Sequence, residues 1–118
     1  MTVLFRPAAR DEVPAVVALL ADDILGQARE TTDPAPYLSA FDAMQRQGEN
    51  HLIVGLSGDR LVACYQLIFI PGLSAKATLR AQIEGVRVAS NLRGRGIGAL
   101  LVAETGERRL VGFLTCFV

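Results

Sequence analysis

Residues 1–118 predict an α+β domain built on a mixed, mostly antiparallel sheet flanked by helices. Three observations carry that prediction. Two segments of helical apolar period come first, three turn-linked runs of strand period follow, and a glycine-rich turn then opens a further helix. A chain of 118 residues has room for one such domain and a single core.

The elements follow in order. Residues 3–6 form a short strand closed by Pro7. Asp11 is placed to cap a helix in which Val13, Val16, Val17, Leu20 and Ile24 recur at helical spacing until Gly26. Residues 27–36 are polar with two prolines and read as a loop. Tyr37, Phe41 and Met44 mark a second amphipathic helix that stops at Gly48. Residues 50–56 are a strand, and Ser57-Gly58-Asp59 is hairpin chemistry. Residues 60–70 are almost continuously apolar, as in a strand covered on both faces. Residues 71–76 are a second turn, and residues 78–88 a third consecutive strand.

That third strand changes phase. Leu79, Ala81 and Ile83 are apolar at odd positions, with Arg80, Gln82 and Glu84 between them, whereas beyond Gly85 the apolar residues are Val86 and Val88. One extra residue in the ladder produces this, because a bulge lets a strand keep the same face buried on both sides of it. A bulge also bends the strand, leaves backbone groups unpaired and lets it splay from its next neighbour. A functionless bend would carry the same pattern.

Eight residues beyond Gly85, the chain reads Arg93-Gly94-Arg95-Gly96-Ile97-Gly98, followed by the small, apolar helical run that begins at Ala99. Glycines there remove side chains that would keep a ligand off the backbone, and allow successive N–H groups to aim at one point. The helix start adds unpaired donors and the positive end of its dipole, and Arg93 and Arg95 add charge. The sum is an anion site of a size that suits a diphosphate. A dinucleotide fingerprint over Gly94, Gly96 and Ala99 would need a βαβ unit with an acidic residue about twenty positions on, for which little chain follows. A Walker loop is excluded because no Gly-Lys-Ser/Thr is present. A structural helix entry with exposed arginines is the bland alternative.

Composition narrows the class. Twelve basic residues balance twelve acidic ones, which argues against a general nucleic-acid partner. Mean hydropathy is high at +0.34, yet the longest apolar candidate, residues 61–73, is short of the ~20 residues a spanning helix needs. No secretory signal opens the chain, so a cytoplasmic protein without a membrane partner is expected. Cys64 and Cys116 sit in apolar runs, and with His51 as the lone histidine no metal site is expected.

The order strand, two helices, three strands, bulge and then R-x-x-G-x-G at a helix start resembles the GNAT superfamily of acetyl-CoA-dependent N-acetyltransferases. The signature Arg/Gln-x-x-Gly-x-Gly/Ala is matched by Arg93, Gly94, Arg95, Gly96, Ile97 and Gly98. Residues 83–88 resemble the strand beside the pantetheine arm, and Phe5-Arg6-Pro7-Ala8 with Asp11-Glu12-Val13-Pro14 resembles the family's opening. The resemblance implies a GNAT-like acyl-CoA N-acyltransferase fold over residues 1–118. It also implies acetyl transfer from acetyl-CoA to a primary amine of a small molecule or peptide. Backbone groups around Val86, Arg87 and Val88 would pair with pantetheine, and residues 93–99, Ala99 included, would hold the pyrophosphate. A bulge N–H would polarise the thioester carbonyl. Glu84 would be the base that takes the amine's proton. Gln82 and Arg80 alternate with it and would line the same groove, while Asp22, Asp23 and Glu30 are weaker candidates for contact with a cationic substrate.

The sequence also departs from the family. Relatives continue with a helix and closing strands beyond the fifth strand, and that helix supplies a tyrosine acid; here Tyr37 and Tyr65 both lie upstream. Residues 110–118 read as the fifth strand, so a domain lacking the last helix and closing strands is expected. An open, apolar terminal strand predicts a homo-oligomer through that edge. The competing reading is a non-catalytic acyl-CoA-binding or protein-interaction remnant of such an enzyme.

Overall fold

A computed structural model describes residues 2–22, 28–94, 96 and 113–116, the last four by their backbone. Strand β1 is Leu4–Pro7, helix α1 Val13–Leu20, helix α2 Ala35–Gln47, β2 Asn50–Ser57, β3 Arg60–Ile70, β4 Arg80–Val88 and β5 Phe113–Cys116. The strands form one sheet in the order β1-β2-β3-β4-β5. The first three pairings are antiparallel and β4–β5 is parallel, which makes the sheet mixed and mostly antiparallel, as the periodicity predicts.

Several ends differ from the sequence reading, each for a local reason. Asp11 does not cap α1. It lies inside a 3-10 turn, Arg10–Glu12, and the Glu12 carboxylate accepts the Ala9 N–H at 2.8 Å instead. The last helical residue of α1 is Leu20, with Ala21 and Asp22 in a closing turn; Ile24 and Gly26 lie outside the described residues. Pro36 belongs to the first turn of α2, where a missing N–H costs nothing. The 71–76 connection contains a tight turn, Ser74–Ala77, with left-handed backbone at Ala75, Lys76 and Ala77.

Side chains from the two faces of the sheet build two apolar clusters. One gathers Val16 and Leu19 of α1 with Val54, Val62, Cys64, Ala89 and Leu92. The other is Ile53, Tyr65, Leu67, Phe69, Ala81 and Ile83, with Val86 packed against it. Strand β3 contributes to both, which explains its unbroken apolar run.

The bulge falls where the phase flips. Cys64 is opposite Arg87 and Gln66 opposite Glu84, so the single residue Tyr65 faces the pair Gly85 and Val86. Gly85 has φ +60°, in the left-handed region that a side chain disfavours. Pairing with β5 is described from Arg80↔Phe113 to Ile83↔Cys116, just short of the bulge.

Two predictions follow from the packing. A Cβ on Gly55 would lie 2.8 Å from Phe5 Cε1 and 3.1 Å from both Ala63 Cβ and Val3 Cγ1. Gly55→Ala is therefore expected to destabilise the fold by about 1–3 kcal/mol in chemical denaturation. Arg6 holds Glu12 through two bonds, at 2.6 and 2.8 Å. That hydrogen-bonded pair sets the Glu12 carboxyl below its ordinary range, against a smaller opposing effect of burial. A lowered folded value gives stability that is complete above the ordinary carboxylate range and lost as pH falls through the lowered one. Thermal scans should show the melting temperature falling over that window, and Glu12→Gln should flatten the fall.

Candidate active site

Among the described residues, the end of β4 has no strand partner on the edge away from β3. Ala89 N–H donates to Val62 O at 2.8 Å. Strand residues alternate the side to which their peptide groups point. Arg87 therefore also faces β3, while Val86 and Val88 turn theirs to the opposite edge. Phe69 N–H donates to Glu49 O at 3.0 Å, so Phe69, and by the same alternation Tyr65, face β2. Tyr65 thus offers nothing to Gly85 and Val86 across the ladder. Gly85 O instead accepts from the Cys64 thiol at 3.7 Å. In a planar trans peptide the Val86 N–H then points away from Cys64. Cys64 is buried, and burial pushes its thiol up to about 12 despite the nearby positive Arg87. At neutral pH it is a protonated donor that orients the bulge.

Arginine side chains meet both outward carbonyls. Arg87 Nη1 donates to Val86 O at 2.8 Å, and Arg93 Nε to Val88 O at 3.2 Å. The 3-10 turn Ser90–Leu92, anchored by Leu92 in the core, carries the chain from β4 to the glycines. Gly94 and Gly96 have φ +82° and +78°, and a Cβ on either would meet nothing within 4 Å. Two left-handed positions one residue apart, each with open space above it, suit a backbone cradle for an anion. Arg95, Ile97, Gly98 and Ala99 lie outside the described residues.

Glu84 and Gln82 are brought together: Gln82 Nε2 donates to Glu84 Oε1 at 2.6 Å, and both are half-buried. Gln66 stands directly across from Glu84 and donates to Asn50 Oδ1 at 2.8 Å. Sequence reasoning missed Gln66 and Asn50 as neighbours of the site. A glutamine inside the apolar run of β3 was the available signal. Arg80 is exposed at the far end of β4. Asp22 enters through its carbonyl oxygen, which accepts from Arg93 Nη2 at 3.1 Å. Glu30 accepts from the Tyr37 hydroxyl at 2.9 Å, away from Glu84, and Asp23 lies outside the described residues.

The fold has clear counterparts. The profile of the Acetyltransferase (GNAT) family matches residues 17–107. A transcriptional regulator from Bacillus halodurans C-125 is 35% identical and superposes with a TM-score of 0.89, over 99% of this chain and 82% of that one. Glucosamine-6-phosphate N-acetyltransferase from Arabidopsis thaliana shares the fold at 16% identity, with a TM-score of 0.74 over 98% of this chain and 82% of its own. A predicted acetyltransferase with acetyl-CoA from Clostridium acetobutylicum does so at 14%, with a TM-score of 0.73 over 99% and 80%. No curated protein matches the sequence. The chain belongs to the GNAT family and is an acetyl-CoA-dependent N-acetyltransferase.

Proposed function

We propose that the chain acetylates a primary amine of a small molecule or peptide, with Glu84 as the base that prepares the amine. The observation that carries this reading is the edge at Val86 and Val88, which has no strand partner among the described residues and begins one bulge beyond the Glu84 carboxylate. Acetyl-CoA supplies an activated thioester acyl group. The outward peptide groups of Val86 and Val88 suit its pantetheine arm, and Gly94 and Gly96 suit its diphosphate, with Arg87 flanking the same edge. A bulge N–H freed from the ladder is a donor for an oxygen that gains negative charge.

An ammonium is not a nucleophile, so the acceptor must lose a proton first. Glu84 is suited to take it. Its Oε1 is engaged by Gln82, which fixes the carboxylate and leaves Oε2 for the amine. Gln66 and Asn50 add amide groups on the same face. All of this is read over residues 1–118 as one domain.

Titration calorimetry with acetyl-CoA tests the edge, and heat of binding is expected; its absence at high ligand concentration sinks the reading. Thiol release over spermidine, kanamycin and a Gly-Ser peptide amide then separates an enzyme from a binder. Glu84→Gln should lower kcat by about 10²–10⁴-fold, the usual worth of a general base, and shift the pH profile with acetyl-CoA affinity unchanged. An unchanged rate removes Glu84 from the mechanism.

Self-association belongs to the same proposal. Strand β5 is the last strand of the described sheet and pairs only with β4 there, and a bare edge is a template for another chain. Light scattering on the purified protein is expected to give a dimer or larger; a monomer removes this part.

A further inference from the structure

We propose that Arg93 is a positioning residue whose guanidinium straps the end of α1 to the end of β4, holding Leu20 against the bulge at Gly85. The inference rests on the reading of the β4 edge as the place where the acyl donor docks.

Arg93 opens the motif that binds the diphosphate, and charge is the simplest role for it. Its geometry assigns it another. Nε donates to Val88 O at 3.2 Å and Nη2 to Asp22 O at 3.1 Å, joining positions 71 residues apart. Both acceptors are main-chain carbonyls. The one on Asp22 lies just beyond the last turn of α1, where the helix end carries a partial negative charge that favours a cation.

The local bonds of that turn, Ala21 N–H to Val17 O at 3.0 Å and Asp22 N–H to Leu19 O at 3.2 Å, stay within the helix. They do not tie it to the sheet. Arg93 does, as a polar bond beside the apolar contacts of Val16 and Leu19. Leu20 is the last residue of α1, and its Cδ2 lies 3.7 Å from where a Cβ on Gly85 would sit. A strap that fixes the end of α1 therefore fixes the apolar wall over the bulge, next to Glu84. Two donors in one rigid plane, aimed at two carbonyls, are what arginine supplies and lysine does not.

The test compares Arg93→Gln and Arg93→Lys in the full chain. Hydrogen exchange at the Ala21 and Asp22 amides should speed up by about 5-fold or more in both variants, since local opening governs it. Calorimetry should leave the acetyl-CoA Kd within about 3-fold of wild type, with its salt dependence unchanged. For any of the three amines that wild type acetylates, kcat should fall by about 10-fold at unchanged KM for acetyl-CoA, the mark of lost transition-state positioning. Unaltered exchange at Ala21 and Asp22 overturns the proposal. So does a lysine variant that behaves as wild type while the glutamine variant loses acetyl-CoA affinity and salt dependence, because charge alone then explains Arg93. Wild-type protein that binds no acetyl-CoA defeats the earlier reading of the edge, while the exchange measurement still decides whether the strap exists.

Discussion

The site depends on one mismatch in a hydrogen-bonded ladder, where two residues of β4, Gly85 and Val86, stand opposite one residue of β3. On the N-terminal side of that point, Arg80 to Ile83 are paired on both edges, by β3 and by β5. Everything beyond it is turned so that Val86 and Val88 present peptide groups to the far edge. A bulge of this kind needs a residue at ease with φ +60°, a partner for the reoriented Gly85 carbonyl, and a wall to pack on. Gly85 itself, the Cys64 thiol and Leu20 of α1 supply the three.

The chemistry follows from placing different groups on the two sides of that mismatch. Glu84, held by Gln82, lies just before it on the face that also carries Gln66 and Asn50. The left-handed glycines lie after it, one short 3-10 turn beyond the strand. A nucleophile needs a proton acceptor and an anionic donor needs backbone N–H groups. In the proposed reaction, the bulge would keep these two functions a few residues apart on one strand.

Much of this was legible in the sequence because it depends on short-range rules. Alternation along 79–88 located the bulge to the residue, since a period of two cannot shift phase without an extra residue. The exact bounds of β3, Arg60–Ile70, were legible from a turn at one end and Pro71 at the other. Helix starts were less legible. Asp11 has the stronger N-cap preference of the two adjacent acids, yet Glu12, at the third position of the 3-10 turn and held by Arg6 of β1, is the one that accepts the Ala9 N–H. Glu84 could be singled out by position, but its neighbours Gln66 and Asn50 come from other strands, whose register no local pattern specifies.

The sequence by itself determined the class of fold, the bulge and the family, because each is written in short-range spacing. Only the tertiary structure decided what the charged and polar side chains do there. Arg93 reads in sequence as a charge for an anion. In the fold its nitrogens reach Val88 O and Asp22 O, because α1 ends beside β4. Cys64 reads as a small apolar filler and becomes the donor that orients Gly85. Hydrogen-bond partners between distant segments are set by how helices and strands pack, and that information exists only once the core has formed.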